Sequence, residues 1–407
     1  VFYYAFIMYT ILNNKIAEEK NMLKQNIHKK IGIIGGGQLG QMMILEAKKM
    51  GFYITVLDPT LHCPAHSIVD EHIVADFEDE KAIRLLAEKS DVVTYEFEHI
   101  NADVLEQLEN EGKKIYPTAK SLKIIQNKFS QKTLLKSDGI PVPDFMAVSS
   151  VDDIKNAGNE YGYPFMLKSC TGGYDGKGNH LVKNASDCEN AFNSLGGGKL
   201  PLMAEKFYPF TMEISVLACR AINGDIKVYP VAENIHEDSI LNKTKVPAAI
   251  SDETTKNAMN LAKRVMEVFD GVGMFCVEMF VSPNGDVAIN EVAPRPHNSG
   301  HYTIEACVTS QFEQHIRAVS GLPLGDPSLI RPAVMRNILG EGPSGKAIVT
   351  GADECLSVPG VTLHVYGKET SKNKRKMGHL TATANTLEEA EKNADLAKSF
   401  IKITGLQ

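Results

Sequence analysis

Two glutamates set into one apolar hairpin constrain this chain more than any other feature. The stretch Met274-Phe-Cys-Val-Glu278-Met-Phe-Val-Ser-Pro-Asn284-Gly285-Asp-Val-Ala-Ile-Asn290-Glu291 places Asn-Gly between two apolar runs, the strongest short-range signal for a β-hairpin. Counting outward from a two-residue turn at Asn284 and Gly285 sets Glu278 opposite Glu291. Pro283 lacks a ladder donor, which leaves room for a longer turn. Cross-strand neighbours hold their Cβ atoms about 4.5–5.5 Å apart, where like charges repel. Acids placed so, among Met, Phe, Val and Ile, need a neutralising partner. A hard divalent cation shared with substrate phosphates supplies one, Mg²⁺ or alternatively Mn²⁺. Asn290 offers a further oxygen where the strand bends. The plain alternative, an exposed hairpin with two solvated acids, sits poorly with those apolar neighbours.

Residues 30 to about 117 alternate short apolar runs with helix-like stretches. Ile31–Ile34, Tyr53–Leu57, Ile73–Ala75, Val92–Tyr95 and Lys114–Tyr116 read as strands, and Gln38–Met50, Glu80–Lys89 and Asn101–Asn110 as helices. This rhythm predicts a parallel sheet covered on both faces. Its first turn, Gly35-Gly-Gly37-Gln38-Leu39-Gly40, lets backbone N–H groups and a helix N-terminus approach a phosphate. Asp58 follows Gly37 by 21 residues, where a Rossmann protein holds an adenosine ribose. Alone, this pattern fits an NAD-dependent oxidoreductase, other phosphorylated ligands, or a glycine turn that merely permits close packing.

A second glycine loop, Lys168-Ser-Cys-Thr-Gly172-Gly173-Tyr174-Asp175-Gly176-Lys177-Gly178, follows an apolar strand that ends in lysine. Its N–H groups can close over a triphosphate while Lys168 supplies point charge. It is not a Walker A motif. Lysine strand and flap are weak signals alone, but joined to the paired acids they point to ATP activation of an oxygen nucleophile.

Helical spacing covers Ser121–Ser137 and Asp252–Asp270, Gly196–Pro201 reads as a connector, and the last 80 residues read as a β-rich unit closed by a helix at Leu387–Ile401. The 407 residues suit two to four compact units at roughly 100–200 residues each. With 43 Lys+Arg against 50 Asp+Glu, the net charge of −7 argues against a surface that grips nucleic acid. Seven scattered cysteines, an odd count without C-x-x-C spacing, argue against a disulfide scaffold or a structural zinc site and suit a reducing, cytoplasmic setting. No apolar run is long enough to span a bilayer. Val1 to Leu12 is apolar and aromatic, yet no basic stretch precedes it and no small-residue cleavage site follows. Residues 1–29 are expected to be an extension outside the fold.

The motifs Gly35-Gly-Gly-Gln-Leu-Gly40, Tyr95-Glu96-Phe-Glu98-His99, Gly172–Gly178, Asn290-Glu-Val-Ala-Pro-Arg295-Pro-His297-Asn298-Ser299-Gly-His-Tyr-Thr303 and Gly378-His379 resemble those of the ATP-grasp ligases. Within that superfamily the chain is similar to the 5-(carboxyamino)imidazole ribonucleotide synthase family, ATP-dependent carboxylases of purine synthesis. The resemblance spans about residue 30 to 380. It implies a mixed α/β and α+β fold: a Rossmann-like preATP-grasp domain (30–127), an ATP-grasp domain (128–325, flap about 140–203) and a small β-rich C-terminal domain (326–407).

It also implies an activity in which ATP, bicarbonate and aminoimidazole ribonucleotide give ADP, phosphate and the N-carboxylated ribonucleotide through carboxyphosphate, in a homodimer that uses neither nucleic acid nor membrane. Carried onto this sequence, Glu278 and Glu291 hold the metal, and Lys128 and Lys168 contact the phosphates. The flap closes from Gly172 and Gly173 through Gly176, Lys177 and Gly178. Glu205, Lys206, Phe207 and Tyr208 line the adenine site, Glu213 takes the ribose, and His236 and Asn290 add nucleotide contacts. Tyr174, Asp175, Arg295, His297 and Lys368 meet the reacting groups. Gly37, Gln38, Leu39, Asp58, Glu96, Asn298, Ser299, Arg375 and Lys376 bind the ribonucleotide, with the first glycine loop cradling its 5′-phosphate rather than NAD. His99 and Glu98 acquire a substrate role on resemblance only.

Gln41, Cys170 and a lengthened basic run before Lys376 depart from the family pattern, which bears on phosphate binding rather than on the reaction class. A formate-dependent glycinamide ribonucleotide transformylase is the nearest rival. That enzyme is expected to carry an acid after Pro-Arg-Pro-His and a Ser-rich flap, where this chain has Asn298-Ser299 and Gly-Gly-Tyr-Asp. A Rossmann oxidoreductase and a nucleotide sensor without turnover are the rivals of other classes.

Overall fold

The computed structural model describes residues 29–173 and 178–406. The expectations for residues 1–28, and for Tyr174, Asp175, Gly176 and Lys177, lie outside the described residues. The N-terminal unit is a parallel four-stranded sheet in the order Glu71–Ile73, Tyr53–Leu57, Lys30–Ile34, Val92–Tyr95. Helices Gln38–Lys49, Glu80–Lys89 and Ala102–Asn110 cover it, the last two capped by the Asp79 and Asn101 side chains. The third strand begins earlier than Ile73–Ala75, leaving Val74 half exposed. Of Lys114–Tyr116, only Ile115 bridges to the sheet, beside Val93.

The helical segments expected around Ser121–Ser137 are the two helices Ala119–Ile125 and Lys128–Ser137. The break falls at Gln126-Asn127, where the Asn127 side chain accepts from the Ser130 N–H and starts the second helix. A small antiparallel sheet follows, in the order Phe145–Val148, Leu202–Lys206, Phe165–Ser169, Asn179–Val182.

The third sheet has twelve strands and runs on into the C-terminal unit. Strand Ile240–Val246 pairs with Ala333–Glu341, which in turn pairs with Lys376–Thr383 and Lys402–Leu406. That unit is therefore not a separate sheet. Helix Asp252–Phe269 lays Leu261, Val265, Met266 and Phe269 on the strands carrying Ile214, Val277 and Met279; its apolar spacing at three and four residues made this face legible.

The acid hairpin forms the rim of this sheet, Gly273–Val281 pairing with Val287–Ala293. Its turn corrects the sequence expectation. Val281 pairs with Val287, and Gly285 donates to the Ser282 carbonyl at 3.0 Å, so Pro283, Asn284 and Gly285 form a three-residue loop. Pro283 suits the first central position of such a turn, and Gly285 takes the positive φ (86°). A β-bulge at Asn290 then shifts the register by one residue, and Glu278 lies opposite Glu291 after all. The outer edge of the returning strand is covered. Ile289 N–H donates to the Pro141 carbonyl at 2.8 Å, and the Gln131 side chain bonds the Val292 N–H and carbonyl.

Candidate active site

A cleft of about 710 Å³ opens between the small antiparallel sheet, the acid hairpin and the N-terminal unit. From one end to the other its wall carries Gln38 and Leu39, Glu96, Arg295 and His297, the two acids, Lys128 and Lys168, and Tyr208. Glu278 and Glu291 repel across the bulge. Enclosure first, and Glu291 second, push the Glu278 carboxyl up to about 7. Enclosure would raise Glu291 as well, but the ion pair with Lys128 outweighs it and holds that carboxyl below its usual range. Glu278 has no hydrogen-bond donor among the described residues; His297 Nε2 stands 3.9 Å away.

Behind these acids lies a buried triad. Glu205, 3% exposed, accepts Lys168 at 2.6 Å and pairs with Lys132 at 2.7 Å. Burial alone would raise the Glu205 carboxyl, yet the two ammonium groups hold it down at about 2. Burial, opposed by Glu205, pushes Lys132 down to about 8. Lys132 escaped the sequence reading, although it stands one helical turn beyond Lys128 on the same face. Lys168 also reaches Asn290 Oδ1, at 3.5 Å.

At the far end Tyr208 and Phe210 stack on Phe280, with ring centroids 5.8 and 4.7 Å apart. Lys206 and Phe207 line the same end and stay exposed. His236 Nδ1 and Glu213 are 2.8 Å apart; burial alone would lower that imidazole, but Glu213 raises it. Gly172 and Gly173 border the cleft from the second glycine loop, and Gly178 accepts the Ser169 N–H at 2.8 Å where the loop ends.

Arg295 is held by Glu98 at 2.9 Å, which offsets the burial that would lower the guanidinium. Glu98 thus has a defined partner, whereas His99 lines the wall without one in the described residues. His297 Nδ1 accepts the Ser299 N–H at 3.3 Å and meets its hydroxyl at 2.9 Å. That network puts the imidazole proton on Nε2, toward Glu278. Burial and the Arg295 charge keep the ring neutral, well below the usual histidine range. Ser299 is 1% exposed and bonds Ser215 as well, so it supports His297 from beneath while Asn298 lines the cleft.

The first glycine loop is organised around an internal anion. Glu96 accepts the N–H groups of Gly37 and Gly40, each at 2.6 Å, across the N-terminus of helix Gln38–Lys49. A Cβ on Gly37 would sit 2.5 Å from Glu96 Oε1. Asp58 accepts from Gly36 and Thr60, both at 2.8 Å, and is 6% exposed. Each Asp58 oxygen accepts one backbone N–H, and the residue is not among those lining the cleft. Any phosphate at these N–H groups, whether a dinucleotide's or the ribonucleotide 5′-phosphate the loop is expected to cradle, would have to displace Glu96. Gln38 and Leu39 face the cleft instead.

Lys376 lines the cleft, whereas Arg375 turns its Nη1 to the Thr370 carbonyl at 2.7 Å and does not. Lys368 donates to the Lys376 carbonyl at 2.7 Å. Gln41 bonds the Pro64 carbonyl at 2.8 Å, and Cys170 is buried with its carbonyl accepting the Lys128 N–H at 2.8 Å. Among the described residues no helix is long and apolar enough to cross a membrane.

Three stretches match known domain families in this order. Residues 28–126 match the ribonucleotide synthetase preATP-grasp domain, 133–312 the ATP-grasp domain, and 333–393 the phosphoribosylaminoimidazole carboxylase C-terminal domain. The N5-carboxyaminoimidazole ribonucleotide synthase of Bacillus subtilis is 43% identical over 352 residues, covering 86% of this chain and 90% of its own. The phosphoribosylaminoimidazole carboxylase of Candida albicans is 41% identical over 374 residues, 89% of this chain and 65% of that protein. The chain therefore spans about two thirds of the longer Candida protein. Among solved structures, the synthetase of Thermotoga maritima gives a TM-score of 0.85 at 46% identity, over 93% of this chain and 100% of its own. The Aspergillus clavatus synthase, solved with ADP and 5-aminoimidazole ribonucleotide, gives 0.84 at 37% identity, over 91% and 99%. Likeness at this level along nearly the whole of the bacterial proteins settles the matter: the chain belongs to the N5-carboxyaminoimidazole ribonucleotide synthase family of ATP-grasp ligases.

Proposed function

We propose that this chain spends ATP to carboxylate the exocyclic amine of aminoimidazole ribonucleotide with bicarbonate, by way of carboxyphosphate. The observation that carries this reading is one cleft holding two facing acids, two lysines and the Arg295–His297 pair between a stacked aromatic end and the first glycine loop.

Glu278 and Glu291, with the Asn290 amide oxygen, fit a hard divalent cation, Mg²⁺ or Mn²⁺, because Glu278 has no donor of its own and its charge is opposed by Glu291. Such a cation, when bound, neutralises charge on the β- and γ-phosphates. The protein's own part is positioning. Lys128 and Lys168 set positive charge beside the phosphates, each pre-aligned by a carboxylate. Tyr208, Phe210 and Phe280 offer the adenine an apolar wall, and Glu213 with His236 the ribose. Arg295 and the Nε2–H of His297 bind oxygens of bicarbonate and then of carboxyphosphate. Gln38, Leu39 and Lys376 hold the ribonucleotide phosphate end, Glu96 fixes the loop that presents the first two, and Lys368, bonded to the Lys376 carbonyl, adds charge toward the reacting groups. Carboxyphosphate hydrolyses readily, so closure of the second glycine loop over the cleft has to exclude water.

Seven free, buried cysteines suit a reducing, cytoplasmic compartment, and a homodimer is the assembly we expect. ADP release that requires both aminoimidazole ribonucleotide and bicarbonate tests the reading. Stimulation by glycinamide ribonucleotide with formate would replace it with the transformylase.

A further inference from the structure

Three of the chain's twelve histidines fall within eleven residues, His62 and His66 on the strap that joins the strands Tyr53–Leu57 and Glu71–Ile73 of the N-terminal sheet and His72 in the second of those strands. No step of the proposed reaction uses them, and none lines the cleft. The strap folds back so that His66 Nδ1 and His72 Nδ1 lie 3.4 Å apart. The His62 ring centroid is 5.1 Å from that of His66, and the His66 and His72 centroids are 5.7 Å apart. Two imidazole nitrogens on one tetrahedral zinc-type ion, with bonds of about 2.0–2.1 Å, stand about 3.3 Å from each other.

The backbone fixes one ring in the state a metal requires. His72 Nε2 lies 3.0 Å from the Asp58 carbonyl oxygen, which can only accept, so Nε2 carries the proton and Nδ1 presents its lone pair. A ligating histidine ordinarily donates its other ring N–H in this way. His62 and His66 are exposed and His72 half-buried, so an ion can reach them from solvent. Cys63, between them in sequence, is not a ligand. It is 4% exposed, packs against Gly36, and burial reinforced by Asp58 pushes its thiol up to about 11. Two nitrogens converge as the side chains stand, and no group of three does among the described residues. For a third ligand the exposed His62 side chain, its ring centroid 5.1 Å from that of His66, would have to rotate.

We propose that His62, His66 and His72 form a surface site for a borderline transition-metal cation of the Zn²⁺ class, distinct from the hard-cation acids of the cleft. Imidazole nitrogens favour such ions, whereas Mg²⁺ demands oxygen. The site clips a strap tied to the first glycine loop. Ala65 N–H donates to the Gly36 carbonyl at 2.9 Å, and Gly36 N–H to Asp58 at 2.8 Å.

Co²⁺ titration of the full chain, free of any affinity tag and followed by visible d–d absorption, tests the site. The expected result is a saturable tetrahedral band that Zn²⁺ displaces, together with a Zn²⁺-dependent rise in the thermal midpoint. His66→Ala and His72→Ala should each weaken binding about tenfold or more, and His62→Ala should weaken it measurably, with Mg²⁺-supported ADP release unchanged in all three. A wild-type chain that gives no band and no Zn²⁺ shift overturns the proposal. So does a band that survives His66→Ala with His72→Ala, or binding unaltered in His62→Ala.

Discussion

Glu278 faces Glu291 because Asn290 is an extra residue in the returning strand. A regular ladder from the observed turn would set Asn290 opposite Glu278 and send Glu291 to the other face of the ribbon. The bulge therefore places an acid pair where sheet pairing alone would place an amide and an acid. Such a pair costs stability until a cation joins it.

That cost gives the first prediction. Glu278→Gln and Glu291→Gln should each lower ADP release by about 10²-fold or more. The two should part company in stability. Glu278→Gln removes a carboxyl already pushed up to about 7, so its thermal midpoint without nucleotide or Mg²⁺ should match or exceed the parent's. Glu291→Gln unpairs Lys128 and should lower it. Thermal melts beside steady-state rates check both; a Glu278→Gln chain with near-parental turnover would remove the hairpin from the chemistry.

The same hairpin shows how far residues alone lead. Glu278 and Glu291 were legible as partners, but through a two-residue turn that does not form; Pro283 moved the turn and Asn290 restored the register. Nothing local in the sequence encodes a bulge strongly enough to foresee that pair of offsets. Glycines at 35, 37 and 40 announced a close approach without saying of what, and Glu96, distant in sequence, turned out to be the group that approaches. Lys132 was hidden for a similar reason. Its burial depends on Glu205 from the strand Leu202–Lys206, a contact that periodicity within one helix cannot reveal. Element positions in the N-terminal unit were legible because each buries a face whose period the sequence carries.

Glu205 is the second test. Two ammonium groups meet its buried carboxylate, and removing the charge leaves both of them without compensation. Glu205→Gln should destabilise the chain by about 3–5 kcal/mol, read by urea denaturation. Replacing Lys132 alone by Met should cost less, since burial already pushes that ammonium down to about 8 and Lys168 still satisfies the acid. Equal losses in the two variants would mean that the triad does not act as drawn here.

Glu96 and Gly40 make a third pair. Glu96→Gln keeps one acceptor but turns an N–H₂ toward a backbone N–H, at a cost of about 1–3 kcal/mol. Gly40→Ala would bring a Cβ within 2.4 Å of the Gly35 carbonyl oxygen, which neither backbone can relieve without moving. Both changes should raise KM for the ribonucleotide more than KM for ATP, because the loop borders only the Gln38–Leu39 end of the cleft. Equal effects on the two constants would show that the loop serves the whole cleft instead.

Lys368 supplies the pH test. Burial foremost, then Arg375, pushes its ammonium down to about 8, so the charge is present below that pH and is lost as pH rises through it. Attraction for an anionic ribonucleotide should fall on the alkaline side, giving a limb in kcat/KM for the ribonucleotide near pH 8. Stability moves the other way. The folded group binds its proton less tightly than the unfolded one, whose ordinary value is 10.5, so the penalty on folding fades as pH climbs from about 8 toward that value. Lys368→Arg, which keeps its charge throughout, should flatten the alkaline limb. A limb that persists unchanged in Lys368→Arg would assign the titration to another group.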